Sequence, residues 1–335
     1  MLIVWLLLAT FSLAWLMTWG LRRYALARNV LDVPNSRSSH QVPTPRGGGM
    51  AIVLACSLAL VVLALSDLLP APLFYALSGS GALVALVGFV DDHRPLAARW
   101  RLLAHFLAAA WGVFWLGGMP EVQMPGVGTL PGWLWWLLGL VYLVWLLNLY
   151  NFMDGIDGIA GMEAVCVCLG GALLYTLLGR YEMALLPVLL ALASAGFLFW
   201  NFPSARIFMG DAGSGYLGLL LGLFSLQAAW VAQELFWSWL ILLGVFVVDA
   251  SVTLLRRLFQ GARVYEAHRS HAYQHAARQL GRHLPVTLAV VVINLCWLLP
   301  LSLLAARVEH GFWVLLLAYV PLTLLAFRYR AGLGE

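Results

Sequence analysis

Apolar stretches approaching or exceeding the ~18–20 residues that carry a helix across a bilayer recur along this chain from end to end. Eleven can be marked, at about 2–20, 49–69, 73–90, 100–118, 132–148, 160–178, 184–200, 213–231, 235–257, 284–306 and 311–328. In hydrocarbon every backbone N–H and C=O needs a partner within the chain, which leaves helices or a closed barrel. Barrel strands alternate polar and apolar residues, whereas these runs are continuous. With 63% hydrophobic and only 10% charged residues over 335 positions, a soluble core is excluded. The expected fold is all-α, a polytopic transmembrane helical bundle of about 11 spans forming one integral membrane domain over 1–335.

Orientation follows from arginine, because the chain has no lysine. No basic residue precedes the first stretch and no small-residue cleavage site closes it, so it reads as a span rather than a secretion signal. Threading eleven spans from an outside N-terminus puts seventeen arginines in the cytoplasmic loops and tail, and only Arg180 and Arg307 opposite. The cytoplasmic loops are then about 21–48, 91–99, 149–159, 201–212 and 258–283. The net charge of +4 belongs to these loops and does not indicate nucleic-acid binding. Absence of lysine also excludes a Walker-type phosphate loop and Schiff-base chemistry. Cys56, Cys166, Cys168 and Cys296 all fall inside spans, where core packing is the simplest reading.

The acidic residues are segregated too. Asp91 and Asp92 end the third span, Asp154 and Asp157 follow the fifth, and Asp211 precedes the eighth, all on the cytoplasmic side. A helix C-terminus is partially negative, so the Asp91–Asp92 pair sits where electrostatics would favour arginine. Solvated helix ends would account for any one pair, but three loops repeating the pattern on one face suggest a shared cation. Carboxylates drawn together repel unless neutralised, and a hard divalent ion, Mg²⁺ or alternatively Mn²⁺, suits oxygen ligands. Zinc is disfavoured because no cysteine lies nearby. Gly155, Gly158 and Gly161 interleave with the aspartates of NFMDGIDGIAG, and Gly210, Gly213 and Gly215 surround Asp211, permitting close backbone approach to a ligand. Asp211 stands at the expected N-terminus of the eighth span, a place whose free N–H groups suit phosphate.

Two longer polar loops complete the pattern. Residues 258–283 carry His268, Arg269, His271 and His275; if helical, the three histidines share one face. A zinc site and a basic helix lying on anionic lipid are rival readings, but donors gripping phosphate oxygens opposite the metal are preferred. The first loop, DVPNSRSSH followed by TPRGGG, adds donors including His40 and Thr44, though a plain connector would read the same way. Asp249, about two turns deeper than Arg256 on one helix face, has no assigned role.

Five segments in order, DVPNSRSSHQVPTPRGGG, GFVDD, NLYNFMDGIDGIAG, NFPSARIFMGDAGS and EAHRSHAYQH, resemble the polyprenyl-phosphate N-acetylhexosamine-1-phosphate transferase superfamily across nearly the whole chain. The resemblance implies Asp211 as principal magnesium ligand, assisted by Asp154, with Asp91 and Asp92 near the lipid phosphate. It further implies Asn151, Asp157, Asn201 and Phe208 at the nucleotide, with Asp157 on the uracil and Phe208 stacked upon it. His268 and His271 would hold the pyrophosphate side. The superfamily includes the MraY, WecA and WbpL types; HRSHAYQH departs from the consecutive histidines of the MraY, peptidoglycan branch and is closer to the WbpL type, which speaks against a muramoyl-pentapeptide substrate. The implied reaction moves a sugar-1-phosphate from a UDP-N-acetylhexosamine to undecaprenyl phosphate, releasing UMP, at the bacterial inner membrane, with the N-terminus periplasmic and a homodimer left open. The alternatives are phospho-MurNAc-pentapeptide transfer and, in another class, a secondary transporter. Transporter charges usually lie at the midplane in two repeated halves, and neither feature is apparent in this sequence.

Overall fold

The computed structural model describes residues 1–34, 42–122, 125–126, 130–262 and 268–334. Its helices are α1 (Leu2–Ala27), α2 (Met50–Leu65), α3 (Ala71–His93), α4 (Ala98–Trp115), α5 (Gly132–Met153), α6 (Ile159–Leu177) and α7 (Tyr181–Asn201). They continue with α8 (Asp211–Val231), α9 (Gln233–Leu242), α10 (Gly244–Phe259), α11 (Ala272–Leu280), α12 (Leu284–Ile293), α13 (Leu299–Ala305) and α14 (Gly311–Arg328). A short antiparallel pair, β1 (Leu31–Asp32) and β2 (Thr44–Pro45), sits before α2. All eleven apolar stretches are helical. Among the described residues eight helices are long and apolar enough to cross a membrane, α12 and α13 counting together, and the bent pair of α9 and α10 passes the same measure jointly. The 16-residue α2 and the arginine-bearing α4 fall short of that measure, so nine of the eleven stretches meet it at most.

The helices are ranked by burial as their residues dictate. α8 carries Gly215, Gly218 and Gly222, small enough for α3 and α5 to approach closely, and Gly213, which packs on Gly49; 83% of its apolar window is buried. α1 lacks such a stripe and buries 22%, leaving a large apolar face for lipid.

Two spans are not the continuous helices the sequence suggested. The ninth bends by 73° between α9 and α10 at Leu243–Gly244. The tenth passes through a π-helical turn, Asn294–Leu298, just before Pro300, whose ring cannot sit against the carbonyl four residues back in a regular helix. The four cysteines are free thiols, and Cys56 and Cys168 are buried as core residues. Cys166 is half-buried and Cys296, within the π turn, is exposed, so core packing describes Cys56 and Cys168 only.

Candidate active site

α3 delivers Asp91 and Asp92 in its last turn, and α8 begins with Asp211. The two helix ends touch because Gly88 has no side chain; the Ala212 backbone fills the space a Cβ would need. Asp92 reaches across to accept from the N–H groups of Asp211 (2.9 Å) and Ala212 (3.4 Å). It therefore caps α8 from a neighbouring helix, a negative group at the positive end of the dipole. Gly210 precedes that end at φ +79°, and a Cβ there would strike the Asp92 carboxylate.

Two arginines stitch the carboxylates together. Arg46 reaches Asp92 through Nε (2.8 Å) and Asp211 through Nη2 (2.7 Å). Arg101 Nη1 contacts both Asp91 (2.7 Å) and Asp211 (3.4 Å). Asp91 also accepts from the Leu96 N–H at 2.6 Å. Burial pulls against the charge of Arg46, but Asp211, Asp92 and Asp32 outweigh it and hold the guanidinium above its ordinary value. Asp154 caps the end of α5 beside this group; burial first, then Asp211 and Asp92 against Arg46, push its carboxyl up to about 7. Asn151 lies within hydrogen-bonding reach of Asp211. A polar cleft of about 40 Å³ runs among Asp91, Arg101, His105, Asn148, Asn151 and Asp211.

A second cluster adjoins the first through the 201–210 loop. This loop pairs with the first polar loop: Phe208 N–H donates to the Pro45 carbonyl, and Gly48 N–H donates to the Phe208 carbonyl. Phe208 is half-buried on that seam. Asp157 accepts from the Ala205 N–H (3.0 Å), lies 3.1 Å from His283 Nδ1, and takes the Thr287 hydroxyl on its carbonyl. Asn201, expected at the nucleotide, has its side chain engaged with the protein itself. It is buried, accepts from the Gly158 N–H and donates to the Ile207 carbonyl, both at 2.9 Å, and so braces two loops. Thr44 is likewise buried in β2 and donates to the Val42 carbonyl at 2.9 Å.

The histidines do not form the one-faced helix expected of them. α11 starts only at Ala272, so His268 and His271 precede it, and His275 alone lies within it. The rings of His268 and His271 stack at 5.0 Å, both about 6.4 Å from Phe152 in the last turn of α5. Burial, then His271 and Arg257, depress His268 to about 3, so it is a neutral imidazole. Its Nδ1 pairs with the Ser270 hydroxyl at 3.0 Å. His275 turns to Arg278 at 3.0 Å. Arg269 is half-buried, with its carbonyl receiving Arg278. His40 lies outside the described residues. Among the described residues no three His, Cys, Asp or Glu side chains stand at metal-holding spacing, which removes the support for a three-histidine zinc site.

Arg46, Arg101, His105 and His283 were not singled out from the sequence, although Arg46 lies within TPRGGG and Arg101 ten residues beyond Asp91. Among the described residues Asp91, Asp154 and Asp211 do not stand at metal-holding spacing either, so what matches a hard divalent cation is the chemistry of the donors and not their spacing. Asp91, Asp154, Asn151 and Asp211 supply only oxygen donors, and the Arg101 nitrogen shared by Asp91 and Asp211 marks where positive charge is balanced.

Residues 74–229 match the family model described as Glycosyl transferase family 4. The chain is 29% identical to the decaprenyl-phosphate N-acetylglucosaminephosphotransferase of Mycolicibacterium smegmatis, over 81% of this chain and 73% of that protein. It is 27% identical to a probable undecaprenyl-phosphate N-acetylglucosaminyl 1-phosphate transferase of Bacillus subtilis, over 82% and 76%. It is 32% identical to the phospho-N-acetylmuramoyl-pentapeptide-transferase of Moorella thermoacetica, over 70% and 76%. These matches, on a multi-helical chain whose carboxylate-bearing segments meet at helix ends, show that the protein belongs to the polyprenyl-phosphate N-acetylhexosamine-1-phosphate transferase superfamily.

Proposed function

We propose that this membrane phosphotransferase moves a sugar-1-phosphate from a UDP-N-acetylhexosamine to undecaprenyl phosphate, at the cytoplasmic face of a bacterial inner membrane. The sugar is GlcNAc or a 6-deoxy relative such as FucNAc or QuiNAc, and the product initiates O-antigen or related surface polysaccharide. One observation carries the reading: Asp91, Asp92 and Asp211 converge with Arg46 and Arg101 where helices end. A lipid phosphate can lie at that level while its tail stays in hydrocarbon.

An acceptor phosphate oxygen attacks the sugar-bearing phosphorus, the P–O bond to UMP breaks, and UMP departs with the electron pair. Two anions must meet, so charge neutralisation and alignment dominate. Arg46 and Arg101 exchange carboxylate partners for phosphate oxygens. Asp91 orients the nucleophile; a phosphate monoester, with a second pKa near 6, is already largely dianionic and needs little deprotonation. His268 and His271 face the pyrophosphate from the α11 side, and Asp157 and Phe208 lie on the nucleotide side. Asp211 with Asp154 would hold Mg²⁺, which would supply charge neutralisation for the diphosphate.

The test is Mg²⁺-dependent UMP release from UDP-GlcNAc by purified protein with undecaprenyl phosphate, extended to a UDP-sugar panel. Release that needs the lipid is expected; none with any UDP-sugar would refute the reading. The Moorella relative keeps a muramoyl-pentapeptide donor as the second reading, to be included in the panel.

A further inference from the structure

Asp249 sits in α10 beyond the 73° bend, 6% exposed and without a part in the chemistry above. Four donors converge on its carboxylate. The N–H groups of Ala272 and Tyr273 approach at 2.9 and 3.0 Å, the Thr253 hydroxyl at 3.1 Å, and His271 Nδ1 at 3.3 Å. Backbone N–H groups only donate, so they fix the carboxylate as an acceptor. Asp249 thus caps α11, on which Gln274 completes the turn by accepting from the His271 N–H. The far side of the same tip is fastened to the cleft, where the Tyr273 hydroxyl donates to the Phe152 carbonyl at 3.0 Å.

An imidazole whose Nδ1 faces an accepting carboxylate carries its neutral proton there, leaving Nε2 as the working nitrogen. We propose that Asp249 is a positioning residue: from within the bundle it holds His271 in the Nδ1–H form and aims Nε2 at the phosphates of the donor. The carboxylate lies in α10, beyond the 73° bend from α9, and meets His271, itself only 3% exposed, at the start of α11. The proposal rests on the transfer reading above and adds a residue to it.

Two measurements test it on the full-length enzyme. In ¹⁵N-histidine NMR of the wild type, with His271 assigned by its loss in His271→Gln, the neutral ring is expected to be protonated at Nδ1; protonation at Nε2 overturns the proposal. In UMP release, Asp249→Asn and His271→Ala are each expected to lower kcat/KM about 10- to 100-fold, the usual effect of removing an orienting partner. The double variant is expected to match the slower single one; losses that multiply overturn the proposal. If Asp249→Asn does not fold, the wild-type tautomer decides. A wild type that releases no UMP would sink the transfer reading, while the tautomer would still decide the pairing.

Discussion

The adjacent aspartates Asp91 and Asp92 should divide labour, Asp92 serving stability and Asp91 turnover. Asp92 has a side chain only 1% exposed, bridges Arg46, and accepts two N–H groups at the start of α8. Hydrogen bonds to a charged group contribute about 1.5–3 kcal/mol each, and breaking a buried pair costs about 3–5 kcal/mol, although the two overlap. Asp92→Asn keeps one acceptor oxygen but turns an N–H group towards donors, so a loss of about 2–4 kcal/mol is expected. Asp91 meets one N–H and Arg101, whose side chain is 38% exposed. A pair screened to that degree contributes about 1 kcal/mol or less, so Asp91→Asn should stay folded and lose turnover. Denaturant unfolding in detergent, followed by the fluorescence of the 16 tryptophans, measures the difference. Equal destabilisation of the two variants, or a larger loss for Asp91→Asn, would refute the division.

Gly88→Ala should push α3 from α8, uncouple the Asp92 cap and lower stability by about 1–3 kcal/mol, seen in the same unfolding assay. Asn201→Ala frees the Gly158 N–H and the Ile207 carbonyl, and about 1–3 kcal/mol should be lost. His268 has a folded pKa near 3 against an ordinary 6.5, so its contribution is complete above pH 6.5 and fades as pH falls towards 3. His268→Asn should therefore flatten the fall in unfolding midpoint between pH 6.5 and 4. In the membrane interior Asn294 donates to Glu163, leaving Glu163 Oε1 and Asn294 Oδ1 without partners. Glu163→Gln supplies an N–H for that carbonyl and should be neutral or stabilising by up to about 1 kcal/mol, whereas Glu163→Leu should destabilise.

Much of the site was legible because hydropathy and helix boundaries are local properties. An aspartate beside an apolar run must lie near a helix end, and Asp91, Asp92, Asp154 and Asp211 all do. What each carboxylate touches was not legible. Adjacent residues on a helix point about 100° apart, so Asp91 faces Arg101 while Asp92 enters α8, a split decided by a neighbour over a hundred positions away. The histidine segment misled for a related reason. Its spacing fits a helix face, yet Asp249, 22 residues upstream of His271, fixes the helix start at Ala272.

By itself, then, the sequence determined an all-helical membrane bundle with acidic and basic loops gathered at one set of boundaries, since crossing lipid depends only on consecutive side chains. Tertiary packing decided the bend at Leu243, the bracing role of Asn201, the pairing of Arg46 and Arg101 with particular carboxylates, and the meeting of Asp249 with His271. Each of these depends on which helix end arrives opposite which, and that is settled by close contacts among small residues far apart in the chain.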